Sequence, residues 1–279
     1  MSMLTSSRIA ALALFGAAAC LWGTHIRALE GADGAAADKA PTKLYQTPRA
    51  ALKAGLEDFQ SGDSRSAIEA LKYAAAGGEP RAQWKLAKIY ASGDGVPRDD
   101  VKAYDYFSQI VVNYDEDSPN RRDLPIVASA FVAVGVYSLN GISDARVRPD
   151  PARAMQMFQY AATNFGDANA QYNLARMHLD GAGVGKDSRQ ALPWLRLAAE
   201  KGHVQAEAML GQILFAGMDG IPPQRARALM WLTLAREAAI DSKKDQWIID
   251  LYDRAMGAAS DEDRQLALTY LEDHLKRQY

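Results

Sequence analysis

The stretch "AQYNLARMHLDGAGV", Ala170 to Val184, combines a helical pattern with a glycine turn. A small residue opens it, Leu174 follows four positions later, and another small residue, Ala175, comes next. Because positions four apart lie on one face of a helix, this spacing predicts a helix that stacks small and apolar side chains on a single face. The glycines after Asp180 predict a turn at the end of that helix.

The same pattern occurs three more times along the chain. The matching stretches read "AQWKLAKIYASGDGV", "AFVAVGVYSLNGI" and "AEAMLGQILFAGMDGI", and they begin at Ala82, Ala130 and Ala206. The bulky residue four positions later is Leu86, Val134 or Leu210, and the small residue after it is Ala87, Gly135 or Gly211. A pattern that returns in this way indicates an internal repeat.

A second apolar pattern accompanies the first and predicts a second helix in each unit. An alanine leads each of its five copies, and a bulky residue follows four positions later. The leading residues are Ala67, Ala103, Ala154, Ala191 and Ala228, and the bulky ones are Leu71, Phe107, Phe158, Leu195 and Leu232. Successive alanines are 36, 51, 37 and 37 residues apart. Two helices per unit at a nearly fixed period predict an all-α fold, an α-solenoid whose helix pairs bury their apolar faces against their neighbours.

The one long spacing comes from an insertion, "NYDEDSPNRRDLP", Asn113 to Pro125. Its charges and prolines predict a segment without helical periodicity that buries no apolar surface. Two interpretations stay open, a solvated loop or an exposed segment that a protease or a partner contacts.

The two ends of the chain differ from the repeats. Arg8 is followed by the apolar run Ile9 to Trp22 and by small residues, so residues 1–28 are predicted to be an export signal, too short to span a membrane. Residues 29–47 are predicted to be a flexible leader, 48–240 the repeat solenoid and 241–279 C-terminal capping helices. The single cysteine, Cys20, is either removed with the signal or lipidated. In both cases the folded part has no disulfide.

The glycine-rich loop "DGAGVGKDS", Asp180 to Ser188, does not fit a nucleotide site. A phosphate loop requires G-x-x-x-x-G-K-[ST] after a strand. Here the first position is Asp180, Lys186 is followed by Asp187, and the preceding segment is a predicted helix. We therefore expect a structural turn, with Asp187 or Ser188 as the N-cap of the next helix.

Composition and local motifs do not indicate catalysis. The formal net charge is −2, from 32 basic and 34 acidic residues, so the basic footprint of a nucleic-acid-binding protein is missing. The four histidines include no pair spaced four apart on one helix face, which is the spacing of many metal sites. They are His25, His178, His203 and His274. We predict a protein that is not an enzyme and holds no metal or cofactor.

The repeat itself carries a family resemblance. Its pattern, A-x-x-x-L-[GA]…G-x-G-V…A…[WF]…AA-x-x-G, is clearest from Ala170 to Gly202. It resembles the SEL-one-like repeat, a longer-turned relative of the tetratricopeptide repeat, over about residues 50–240. The resemblance implies a right-handed α-solenoid of helix pairs closed by C-terminal capping helices.

The whole arrangement of export signal, leader, cysteine-free repeats and long insertion resembles the ExoR family of periplasmic exopolysaccharide regulators. That resemblance implies a non-enzymatic negative regulator, located in the periplasm, that binds the sensor domain of a membrane histidine kinase. It also implies a periplasmic protease as a second partner, no nucleic acid, and contact with the membrane only through a partner. A scaffold or accessory factor for cell-envelope assembly remains the alternative.

The partner surface is predicted from the register of the first helices. In a helix-pair solenoid these helices line the concave side, where residues two before the repeated leucine, and two and five after it, point outward. Aromatic rings and arginines at such positions are typical of interface hot spots. The predicted groove residues are Trp84, Lys88, Tyr172, Arg176, Gln212 and Phe215, and the same register includes Ala91, Leu179 and Ala208. The alternative is that Trp84 and Tyr172 only fill gaps between repeats.

Overall fold

The structure of the protein is a computed structural model that describes residues 45–143, 147–239 and 243–278. The predicted export signal and all but the last three residues of the predicted leader lie outside these ranges. The described residues form twelve α-helices and no strand. The helices are α1 Pro48–Gln60, α2 Ser64–Ala76, α3 Pro80–Ser92, α4 Asp100–Val112, α5 Leu124–Asn140, α6 Pro151–Asn164, α7 Ala168–Asp180, α8 Ser188–Ala199, α9 Val204–Ala216, α10 Arg225–Ala238, α11 Gln246–Ala258 and α12 Asp261–Gln278.

These helices pack as consecutive pairs. α1 packs on α2, α3 on α4, α5 on α6, α7 on α8 and α9 on α10, and each pair packs on the next through its second helix. Nearly all contacts join neighbours in the chain, so the core runs along the stack rather than lying at one centre. This arrangement confirms the predicted α-solenoid of helix pairs.

Within a pair, the two helices meet where a small residue of the first faces a bulky residue of the second. A Cβ atom added at Gly135 would lie 2.5 Å from the ring of Phe158, and one added at Gly211 would lie 2.6 Å from Leu232 Cγ. Phe158 and Leu232 are both fully buried. Side chains this close leave no room for another methyl group, so glycine at these positions sets the distance between the helices.

The first pair repeats this contact although its first helix lacks the full sequence pattern. A Cβ atom at Gly55 in α1 would lie 2.8 Å from Cγ of Leu71 in α2, and Leu71 is fully buried. Within the described part of the chain the array therefore begins at α1, one helix before the first stretch that the repeat pattern identifies.

The glycine turns are structural, as the sequence predicts. Gly181 and Gly183 have φ angles of 74° and 78°, a left-handed conformation that favours glycine, and a Cβ atom at Gly183 would lie 2.6 Å from Pro151 Cβ. Asp187 is the N-cap of α8, and its carboxylate accepts hydrogen bonds from the backbone N–H groups of Arg189 and Gln190. The N-cap prediction is thus confirmed at Asp187.

The insertion between α4 and α5 is partly anchored. The expectation that it buries no apolar surface is wrong at Tyr114, whose ring packs edge-on against Phe131 at a centroid distance of 6.3 Å. At its other end, Arg81 Nε donates a hydrogen bond to Asp123 at 3.1 Å. Residues 115–122 between these anchors are exposed.

The last two helices cover the end of the array. Ile248 of α11 is fully buried against Ala208 and Ala235, while Ala267 of α12 joins a buried cluster with Leu232. α12 also packs along α10. Helices in these positions keep the apolar face of the last pair away from water, as capping helices do.

One buried polar position recurs in three of the first helices. Gln83 of α3 and Gln171 of α7 each donate an amide N–H to a carbonyl at the end of the preceding helix, that of Ala75 at 3.2 Å and of Ala162 at 3.4 Å. Glu207 holds the equivalent place in α9 and is only 5% exposed. A carboxylate cannot donate, and Glu207 Oε2 has no hydrogen-bond partner among the residues that the structure describes. Burial raises the pKa of Glu207 to about 7.

We expect Gly135→Ala to lower the free energy of unfolding by about 1–3 kcal/mol, because the new methyl group collides with a ring that cannot move aside. Gly257→Ala is the matched control, since a Cβ atom there meets no described atom within 4 Å. Its better helix propensity should stabilise α11 by up to about 1 kcal/mol. Urea unfolding measures both. Equal stability of the two variants would show that the distance between α5 and α6 is not fixed by glycine.

We expect Glu207→Gln to stabilise the protein, because an amide can donate where the carboxylate cannot. Since the folded pKa of Glu207 lies above its ordinary value, the wild type loses stability as pH rises from about 4.5 to 7. The gain should therefore be about 1–3 kcal/mol at pH 8 and nearly vanish at pH 4. Thermal unfolding at both pH values measures it, with exposed Glu57→Gln as the control. A gain that does not depend on pH would contradict this explanation.

Candidate functional site

The predicted groove residues divide into two groups by exposure. Lys88, Arg176 and Gln212, each two positions after the repeated leucine, are exposed on α3, α7 and α9. Val136 holds the same register in α5 and is half-buried. Because equivalent positions of successive repeats follow one another along a solenoid, these side chains form a row, which we call the exposed row (Lys88, Arg176 and Gln212).

Trp84 is held between two helix pairs. Its indole is half-buried against the core cluster that contains Phe107 and Val134. Its Nε1 donates a hydrogen bond to Ser129 Oγ of α5 at 3.2 Å. These contacts fix the ring in the joint between the α3–α4 and α5–α6 pairs and leave only part of it for a partner.

Tyr172 occupies the equivalent place in α7 and makes a different contact. Its ring stacks on the imidazole of His203 with centroids 4.4 Å apart. His203 Nδ1 accepts a hydrogen bond from the backbone N–H of Ala206, which caps α9. Burial lowers the pKa of His203, which favours the neutral ring that this acceptor role requires. Tyr172 therefore links α7 to the start of α9.

In α9, Phe215 is half-buried like the residues of equal register in α3 and α7, whereas Ala208 departs from the earlier repeats. Phe215 is half-buried between two core clusters, and the guanidinium of Arg225 lies 5.7 Å from its ring centroid. Ala208 has no exposed surface, because it packs against Ala235 and Ile248. The expectation that this register points outward is wrong at Ala208, where α11 covers it.

Arg176 is held in position by its own helix. It forms an ion pair with Asp180 at 2.8 Å, and its Nη1 donates a hydrogen bond to the Tyr172 hydroxyl at 3.3 Å. These two interactions raise the pKa of Arg176, with the tyrosine hydrogen bond the larger cause. Both partners of the ion pair are about half exposed, at 44% and 52%, so the pair itself adds little stability. A carboxylate of another protein could replace Asp180 at a small cost in free energy.

Lys88 completes the basic part of the exposed row. Among the residues that the structure describes, its ammonium group makes no ion pair. An exposed lysine of this kind is fully hydrated and acts as a point charge for an acidic surface. The row thus offers two cations and an amide, on helices that glycine and alanine contacts hold at fixed distances.

The strongly shifted ionisable groups are explained by local structure. The Tyr137 hydroxyl donates to Asp100 at 3.1 Å, and burial together with this carboxylate raises the pKa of Tyr137 to about 12. Tyr160 donates to Glu116 in the same way, and its pKa is also raised. Both tyrosines stay protonated at neutral pH and act as hydrogen-bond donors between elements.

The described ranges contain neither a metal-ligand cluster nor a membrane-spanning helix. Within them, no group of three or more His, Cys, Asp or Glu side chains is placed to hold a metal ion. No described helix is both long enough and apolar enough to cross a membrane.

Comparison with known structures supports the fold. A protective antigen of uropathogenic Escherichia coli with an SLR fold superposes with a TM-score of 0.67 at 23% identity, over 82% of this chain and 46% of that one. The chain thus spans about half the length of that antigen. A Sel1 repeat protein from Oxalobacter formigenes superposes with a TM-score of 0.59 at 25% identity, over 83% and 88% of the two chains.

Comparison of sequences identifies the family. Sel1 repeats match residues 80–110, 128–164, 168–203 and 204–239. A protein of Rhizobium meliloti (strain 1021) is 33% identical over 267 residues, 95% of this chain and 94% of its own length. One of Rhizobium leguminosarum bv. viciae is 34% identical over 246 residues, 87% and 85% of the two chains. Both are named exopolysaccharide production negative regulator, and the chain belongs to this family of Sel1 repeat proteins.

Proposed function

We propose that this protein is a periplasmic negative regulator of exopolysaccharide production. It binds the sensor domain of a membrane histidine kinase and keeps the kinase pathway off, without catalysing a reaction. The observation that carries the proposal is the similarity, over nearly the whole chain, to two proteins named for negative regulation of exopolysaccharide production. The basic and apolar start of the chain, typical of an export signal, supports the location.

The exposed row is the surface that we propose for the kinase. Its two cations, Lys88 and Arg176, suit an acidic patch on the sensor domain. Arg176 is already oriented by Asp180 and Tyr172, so little side-chain entropy is lost when a partner carboxylate pairs with it. The half-buried rings of Trp84 and Tyr172 border the row and supply rigid apolar area at its edge.

We expect the double variant Lys88→Glu and Arg176→Glu to bind the purified sensor domain at least tenfold more weakly, because it places negative charge against an acidic patch. The loss should shrink at high salt, which screens exposed charges. The melting temperature should change little, since both side chains are exposed. Calorimetric titration and thermal unfolding measure these effects, and the same variant should fail to repress exopolysaccharide in a deletion strain.

The matched control reverses two exposed arginines on second helices, Arg65→Glu and Arg153→Glu, and should bind normally. Trp84→Ala is a poor test, because it removes core packing and the hydrogen bond to Ser129 together. Unchanged affinity in the folded Lys88 and Arg176 variant would remove the exposed row from consideration. Capture of envelope synthases or hydrolases from periplasm, with no kinase, would favour the envelope-scaffold alternative instead.

A further inference from the structure

A cavity of about 800 Å³ lies between α8, α10 and α12. It shares no residue with the exposed row. α8 and α10 are the second helices of two successive pairs, α12 is the last helix that the structure describes, and Leu214 of α9 also lines the cavity. Its volume falls within the range of about 300–1,000 Å³ that is typical of small-molecule sites.

Three arginines from three different helices line this cavity. They are Arg196 of α8, Arg227 of α10 and Arg277 of α12. Arg227 donates to the side-chain oxygen of Gln224 at 3.1 Å, and Arg277 donates to the backbone carbonyl of Asp273 at 3.1 Å. Within the described ranges, none of the three forms an ion pair with a carboxylate. All three arginines are exposed, so their guanidinium groups are accessible to an anion in the cavity, and hydrogen bonds between guanidinium and carboxylate are among the stronger ones in proteins.

The rest of the lining is apolar and aromatic at its base and mixed at its rim. Trp231 forms part of the base and is 7% exposed, and the His274 ring packs edge-on against it at 5.0 Å. Tyr270 lies on the α12 side, with the Arg227 guanidinium 5.4 Å from its ring centroid. Burial and nearby Arg277 lower the pKa of His274, which favours its neutral ring.

Two carboxylates, Glu200 and Asp273, also line the cavity. They would repel a ligand that is charged all over, such as a polyphosphate, but they accept hydrogen bonds from hydroxyl groups. A fitting ligand therefore combines a few anionic groups with many hydroxyls and with a ring that can lie against aromatic side chains.

We propose that this cavity binds a short acidic saccharide, whose carboxylates pair with Arg196, Arg227 and Arg277 while its hydroxyls donate to Glu200 and Asp273. The guanidinium groups suit carboxylates because they present paired donors in one plane. This inference rests on the proposed function only for the source of the ligand, a fragment of the exopolysaccharide that the protein regulates. The cavity would then let the amount of product act on its own regulator.

The test is a calorimetric titration of the mature chain with trigalacturonate, using maltotriose as the neutral saccharide of equal length. Trigalacturonate should bind and maltotriose should not. The double variant Arg196→Gln and Arg227→Gln should weaken trigalacturonate binding at least tenfold with an unchanged melting temperature. The control Arg65→Gln, which removes an exposed arginine of α2, should leave binding unchanged.

Three results would overturn the proposal. They are no binding of trigalacturonate, binding that the Arg196 and Arg227 variant does not weaken, and equal binding of triglutamate, which would assign the cavity to acidic peptides. If the double variant does not fold, Arg277→Gln alone is titrated with the same three ligands, trigalacturonate, maltotriose and triglutamate. Because no kinase is present in these titrations, their failure leaves the proposed function untouched, and failure of kinase binding leaves this result untouched.

Discussion

The contact between a small residue of the first helix and a bulky residue of the second underlies every helix pair. Where it is closest, glycine faces a fully buried side chain, as at Gly135 and Phe158 or Gly211 and Leu232. Glycine also takes the small position in the first pair, at Gly55, and alanine takes it in the α3–α4 and α7–α8 pairs, at Ala87 and Ala175, both without exposed surface. Because the same contact recurs, successive pairs share one geometry, and side chains of equal register fall into rows.

The fold could be predicted from the sequence because its determinants are local and repeated. Alanine, the bulky residue four positions on and the glycine turn all lie within one unit, so each copy strengthens the interpretation of the others. The exposure of single side chains depends instead on neighbours that the period does not specify. Trp84 is held by Ser129, Ala208 is covered by α11, and Tyr114 of the insertion packs on Phe131.

Of the two candidate sites, one follows from the repeat period and the other depends on packing that the period does not specify. The register of the first helices was enough to select Lys88, Arg176 and Gln212, which the structure leaves exposed. The cavity of Arg196, Arg227 and Arg277 gave no sequence signal, because it depends on α12 packing beside α10 after the repeats have ended. The sequence shows a glutamate, Glu207, where an earlier repeat has Gln83. The cost of this change in free energy of unfolding appears only when the burial of both residues is known.

Because contacts join only neighbouring pairs, the molecule can unfold locally. In such an array each unit is coupled to the next, and the influence of a local opening decays with every pair it must cross. A local opening in one pair should thus leave distant pairs and the arginine cavity folded, so that the units of this protein can unfold one at a time without melting the whole array.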